Sequence, residues 1–205
     1  SIFNAQDAVL SWNRWACDWY ANMLPLRTYD YPQLVPANWA LCYNIMGEPL
    51  QYVPKIMVGL YPLFMLLLLL DLGLSRRSAG VVASVPLLAW LFRNVEFGRF
   101  GGDVDLAVTF MGLLAYYCVM QAEAERDKGQ FRRWLLAGSL IACGAAATKQ
   151  SGIFILALHP LVAFLLLRGR LKEFAFGRGW VAKGVALHFA LALLIAAPRS
   201  EERRV

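Results

Sequence analysis

The chain has 205 residues, 59% of them hydrophobic and 17% charged, with a formal net charge of +6. A soluble domain of this size is closer to half apolar, so the composition excludes an ordinary water-soluble globule and points to an integral membrane protein. The basic residues gather in short loops between apolar runs, so the charge reports topology and implies no nucleic-acid partner.

Residues 1–50 mix aromatic and polar groups. From Asp7 to Tyr20 the apolar residues recur at helical period, with Asp7 at the N-cap position. Trp12, Trp15, Ala16, Trp19 and Met23 share one face, and Asn13, Arg14, Cys17 and Asp18 share the other. A tryptophan stripe suits an amphipathic juxtamembrane helix lying in the headgroup layer, or one packed against a bundle. Pro25 is expected to end it. Two prolines and two tyrosines between Thr28 and Trp39 then read as a stiff turn. A second apolar segment, Trp39 to Met46, is closed by Gly47-Glu48-Pro49. Polar-aromatic structure beside a membrane is where a site is built.

A helix needs about 20 mostly apolar residues to cross a bilayer. Crossings are expected near 51–73, 79–95, 104–122, 134–148, 151–168 and 179–198. The fold class is therefore all-α, a polytopic transmembrane bundle of about six helices behind an outer loop of residues 1–50. The fourth and fifth runs are separated only by Lys149 and Gln150, as two tilted spans with a tight turn or one kinked hairpin.

Lys and Arg concentrate in cytoplasmic loops. Arg76 and Arg77, then Arg126, Lys128, Arg132 and Arg133, then Arg168, Arg170, Lys172 and Arg178 make ten on one side; Arg93, Arg99 and Lys149 make three on the other. The first set is placed inside, with residues 1–50, 94–103 and 149–150 outside.

The second outer loop holds Glu96, Asp103 and Asp105 beside Arg93 and Arg99. Asp105 reads as a helix-start carboxylate favoured by the macrodipole. Asp103 follows Gly101-Gly102, which permits close backbone approach, so capping and a functional role stay equally open. Lys149 between two apolar runs must reach lipid headgroups or an anion. His159 and His188, near the middle of their spans, read as helix-packing residues rather than metal ligands. Cys118 and Cys143 fall inside spans; Cys17 and Cys42 lie outside, and whether they pair is open. The start at Ser1-Ile-Phe reads as the tail of a preceding apolar segment, and residues 199–205 as a truncated or frame-shifted tail.

Taken in order, these pieces resemble the GT-C membrane glycosyltransferases, particularly the protein O-mannosyltransferase-like and aminoarabinose-transferase-like enzymes. An acidic residue precedes an amphipathic helix, Asp7 before Trp12 to Tyr20. A Tyr-Pro-Pro-Leu-like turn is matched by Tyr31-Pro32-Gln33-Leu34, with Gln33 in place of the second proline. A Gly-Tyr-Ala-Asp-like motif is matched by Gly101-Gly102-Asp103-Val104 without the aromatic, and a Leu-Thr-Lys-like element by Ala147-Thr148-Lys149. The family's Trp-Tyr after the last Ala-Pro is replaced by Arg199-Ser200.

The resemblance implies a multi-pass protein of the bacterial inner membrane with its active site facing outward. Such enzymes pass a sugar from a polyprenyl-phosphate carrier to an acceptor, which here is a lipid, glycan or protein that the sequence does not specify. An attacking hydroxyl needs a carboxylate to take its proton, and the leaving phosphate needs cations. Asp7 is the expected base and shares one cavity with Asp103, which orients the acceptor or binds a divalent metal; the cofactor requirement is unknown. Lys149 with Arg93 holds the donor phosphate, and Glu96 and Tyr31 complete the substrate-binding set. A transporter or lipid flippase, with ionisable groups along a midplane pathway, is the rival reading. A non-catalytic membrane scaffold is a third.

The topology is checked by single-cysteine labelling after removal of the native cysteines. Positions 30 and 98 are expected to react with an impermeant thiol reagent in intact cells, and labelling only after permeabilisation would invert the assignment.

Overall fold

The computed structural model describes residues 8–25, 31–94, 104–174 and 178–196. Every regular element among them is helical. A π-helical turn, Ala8–Trp12, runs into α1, Asn13–Tyr20, followed by α2, Leu34–Met46, α3, Tyr52–Ser75, and α4, Ala79–Asn94. Then come α5, Asp105–Ala124, α6, Lys128–Thr148, α7, Gly152–Glu173, and α8, Arg178–Ala196. The described residues divide into two compact units, the first ending at Phe110 and the second starting at Met111, with Tyr31 grouped in the second.

In the first unit α1 packs against α2. Trp12, Trp15 and Ala16 are buried, as are Trp39, Ala40 and Tyr43 of α2. Trp12 and Trp15 meet edge to face, centroids 5.1 Å apart. Protein packing therefore accounts for the upper part of the tryptophan stripe, and only its lower end, Met23, is exposed. The helix also stops before Pro25. Asn22 takes a left-handed φ of 57°. Its N–H donates to the Trp19 carbonyl at 3.1 Å, and the Met23 N–H to the Asp18 carbonyl at 2.8 Å. That pair of bonds is the Schellman closure, which satisfies carbonyls the last turn leaves open. Gly47, at φ 75°, ends α2 in the same left-handed region. The turn at Tyr31 is shorter than expected, because α2 begins at Leu34 and takes Pro36 into its first turn, where no N–H is needed.

Arg77 closes α3 by the same device at φ 51°. The Ser78 N–H reaches the Gly73 carbonyl at 2.9 Å, and the chain reverses directly into α4. The α3–α4 pair is thus a tight helical hairpin, with the pair of basic residues at its tip.

The second unit is built from α6, α7, α8 and the part of α5 from Met111 onward. Its core is made of small residues: Ala115, Ala142, Cys143 and Ala146 pack with Leu156. A second cluster joins Val119, Ala122, Phe131 and Leu167. Small side chains let helix backbones approach closely, the usual basis of association where lipid removes the hydrophobic drive. Asp127 starts α6 by accepting the Gln130 N–H at 2.7 Å. Between α6 and α7 only Lys149, Gln150 and Ser151 intervene. Of the two forms expected for this region, two helices with a tight turn is the one observed. A Cβ on Gly152 would collide with the backbone carbonyl of Ala145, so the turn requires glycine there.

Three described helices are long and apolar enough to cross a membrane: α3 with 24 residues, α5 with 20 and α7 with 22. At 1.5 Å per residue each is about 30 Å or longer, the thickness of a bilayer core. Only 22% of the apolar window is buried within the protein in α3, and the same in α7. Leu63, Phe64 and Leu67 of α3, and Leu161, Phe164 and Leu165 of α7, face outward. Lipid is the solvent that makes such a surface inexpensive. Of the six expected crossings, three qualify by themselves among the described residues. α4 has 16 residues. α6 is long, but it starts at Lys128, carries Arg132 and Arg133, and is rich in Ala and Gly rather than Leu.

Gly152→Ala is expected to lower the stability of the purified protein by about 3 kcal/mol or more, because backbone must move to admit the methyl. Gly169→Ala, where nothing lies within 4 Å of the added carbon, is expected to be neutral or to stabilise by about 0.5–1 kcal/mol. Thermal unfolding of both variants in the same detergent checks the contrast.

Candidate functional site

Asp7, Asp103 and Glu96 lie outside the described residues. The expected pairing of two carboxylates therefore falls on residues whose structure is not described. Arg93 occupies the exposed C-terminal end of α4, in the first unit, where Asn94 caps the Trp90 carbonyl at 2.8 Å. Tyr31 and Lys149 belong to the second unit. Tyr31 is 44% exposed.

Lys149 stands where the α6 ladder stops. Its backbone is extended, at φ −154° and ψ 156°, and its carbonyl accepts the Gly152 N–H at 2.9 Å. The preceding Thr148 is fully buried and donates its hydroxyl to the Gly144 carbonyl at 2.8 Å. The side chain of Lys149 is half-buried and leaves the apex of a hairpin between two apolar helices. A lysine so held can serve an anion at one membrane surface without crossing hydrocarbon. Asp105 opens the first turn of α5, as expected for a carboxylate favoured by the helix dipole.

A concave feature of the second unit lies elsewhere, between α6, α7 and α8. It is a cavity of about 410 Å³ with mostly apolar walls, including Leu135, Phe164 and Leu191. Arg132 and Lys183, both exposed, stand on its rim. His159 and His188 line it and are almost wholly buried, at 2% and 3% exposure. Their rings stack at 5.7 Å with 10° between planes.

Backbone chemistry explains one of the two histidines. Pro160 has no N–H, so the carbonyl of Leu156, four residues earlier, loses its intrahelical donor. His188 Nε2 donates to that carbonyl at 2.6 Å. A carbonyl only accepts, so the proton sits on Nε2, and Nδ1 of a neutral ring is left as an acceptor. That atom has no partner among the described residues, and neither nitrogen of His159 makes a close hydrogen bond, although the Ala115 backbone lies beside its ring. His188 is packed and bonded as expected, while its Nδ1 and the two nitrogens of His159 make no close hydrogen bond. A buried unpaired polar atom costs about 1–3 kcal/mol. Nothing in the sequence flagged the arrangement beyond a proline and two histidines in apolar runs. No group of three or more metal-ligating side chains occurs among the described residues.

The elements before α3 in the first unit form a polar-aromatic cluster. Tyr43 donates to Asn13 Oδ1 at 2.6 Å, Tyr20 to the Gly47 carbonyl at 2.8 Å, and Trp19 Nε1 to Gln33 Oε1 at 3.2 Å. Cys17 and Cys42 are both free thiols. Burial pushes the Cys17 thiol up, and the Asp18 carboxylate adds to the effect. Burial likewise raises Cys42. The Tyr43 hydroxyl is also raised, by burial first and then by the two thiols. All three groups are therefore held in the protonated form at neutral pH.

No protein-family model, curated protein or solved structure matches the chain. What fold and geometry define is the class: a helical protein in which three of the described helices are able to cross a membrane.

Raised thiol pKa values leave little thiolate at neutral pH. Alkylation of Cys17 in the folded protein is therefore expected to rise only at a pH above that of an unhindered thiol, about 8.5. Asp18→Asn should move the profile back toward lower pH by removing one of its two causes. An unchanged profile would show that burial alone sets it.

Proposed function

We propose that the chain is the membrane portion of a glycosyltransferase that moves a sugar from a polyprenyl-phosphate carrier to an acceptor on the outer face. The observation that carries the reading is Lys149, projected from a tight turn between two apolar helices and adjoining a Leu-Thr-Lys-like element. Such a cation suits a lipid phosphate as leaving group. The order of the other family-like pieces supports it: Asp7 before the α1 segment, Tyr31-Pro32-Gln33-Leu34, and Asp103 before α5. In this reading Asp7 takes the proton of the acceptor hydroxyl as its oxygen attacks the anomeric carbon. Asp103 orients the acceptor or binds a divalent metal, Lys149 and Arg93 neutralise the departing phosphate, and Glu96 and Tyr31 contact substrate. The protein is multi-pass, in a bacterial inner membrane, with this chemistry outside.

A second reading, a transporter or lipid flippase, has one observation in its favour. His159 and His188 are buried ionisable groups well inside two helices and line a cavity, as a midplane pathway requires.

Transfer of sugar from a polyprenyl-phosphate donor by the full-length protein separates them. Asp7→Asn and Asp103→Asn are expected to keep the fold and lose most turnover, on the order of a hundredfold or more for the base. Lys149→Ala should weaken donor binding more than Lys149→Arg. Near-normal transfer by both Asp variants would remove the assignment, and loss of transport with His159→Phe, transfer being absent, would favour the rival.

A further inference from the structure

The cavity between α6, α7 and α8 has no part in the sugar transfer proposed above. Three features of it belong together. Its walls are mostly hydrocarbon, its rim carries Arg132 and Lys183, and its interior holds three ring nitrogens that are almost fully buried and make no close hydrogen bond. An empty apolar pocket would leave those nitrogens unsatisfied, and a bare hydrocarbon occupant would do no better.

The vertical order follows from the helices. Gly138 of α6 stands level with His159, whose Nε2 is 3.0 Å from where a glycine Cβ would be. Arg132 is six residues before Gly138, about 9 Å along the helix axis. Lys183 is five residues before His188, about 7.5 Å along α8. Both cations therefore sit on the same side of the histidine pair. They are also at the ends of α6 and α8 where Lys128 and Arg178 start the helices. The basic-residue rule assigns those ends to the cytoplasm, where anionic lipids occupy the leaflet and basic pockets between helices take their headgroups.

We infer that this cavity is a binding site for an anionic phospholipid of the inner leaflet. The phosphate lies between Arg132 and Lys183, and one acyl chain runs along Leu135, Phe164 and Leu191. The acyl chain continues inward past the histidines, and water that enters with the ester groups bonds their ring nitrogens. Its volume of about 410 Å³ is in the range of small-ligand pockets, about 300–1,000 Å³, and fits one chain with its glycerol. The site is separate from the outward-facing sugar-transfer chemistry.

The test uses the full-length protein purified in detergent and titrated with phosphatidylglycerol, phosphatidylcholine or inorganic phosphate, with bound lipid counted by native mass spectrometry. Phosphatidylglycerol is expected to bind at least tenfold more tightly than phosphatidylcholine, and inorganic phosphate at the same concentrations should not compete. Removing both cations, Arg132→Gln with Lys183→Gln, should weaken phosphatidylglycerol roughly thirtyfold, roughly fivefold for each charge, and leave phosphatidylcholine unchanged. Leu135→Trp, which fills the cavity and keeps both charges, should weaken it as well; this variant decides the matter if the double variant fails to fold. His159→Phe should reduce affinity severalfold with the headgroup preference intact. Equal binding of the two lipids, full competition by free phosphate, or undiminished binding by the filled cavity would each overturn the site.

Discussion

Pro160 removes a hydrogen-bond donor from the middle of an apolar helix, and the carbonyl it strands at Leu156 is capped from another helix by His188 at 2.6 Å. Hydrocarbon offers no water to satisfy such a group, so a proline in a spanning helix is tolerated only where a neighbour supplies the bond. That one contact ties α8 to α7 at a fixed depth and fixes the tautomer of His188. It also brings the ring into a stack with His159. The cavity, its polar interior and the position of its cationic rim follow from this registration. Replacing the proline would restore the helical ladder and release His188, so the two residues act as a unit although 28 positions separate them.

Close approach is the second constraint. Where α5, α6 and α7 meet, Ala115, Ala142, Cys143 and Ala146 replace the leucines found on the outer faces. Dispersion between near backbones then holds the helices, since leucine is as comfortable in lipid as in the core. The same tightness shapes the α6–α7 turn. A three-residue connection closed by Gly152 leaves Lys149 extended at the apex, while Thr148 is held down by its bond to Gly144. The lysine is presented by backbone geometry rather than by a flexible loop.

The first unit solves a different problem, that of ending helices without long connections. Asn22 and Arg77 accept the left-handed conformation that Gly47 adopts readily. A side chain other than glycine there costs about 1 kcal/mol, offset by two carbonyls satisfied at each end. The payoff is geometric: α1 is stopped in time for Tyr43 to reach Asn13 and for Trp19 to reach Gln33. Burying the thiols and the phenol in that cluster suppresses their ionisation, which makes it a packed, neutral surface.

Much of this was legible in the sequence because it depends on composition and local pattern. The run from Tyr52 to Ser75, the run from Gly152, the alternation of basic loops and the amphipathic Trp12 to Tyr20 segment all declare helices, and Gly47 declares its own cap. Helix ends set by Asn22 and Arg77 were not, since neither residue type demands a positive φ and only the hydrogen bonds around it require one. α6 does not qualify as a span by itself, because alanine and glycine look apolar without matching leucine's affinity for hydrocarbon and Arg132 and Arg133 interrupt its first turns. Of the candidate site, the placement of Lys149 at an apex followed from two apolar runs meeting, which a one-dimensional pattern can report. The histidine pair, the cavity and the joining of Arg132 with Lys183 could not be read that way. They arise from a missing N–H on one helix being met by a ring on another, and sequence records neither which carbonyl a proline strands nor which distant side chain will reach it.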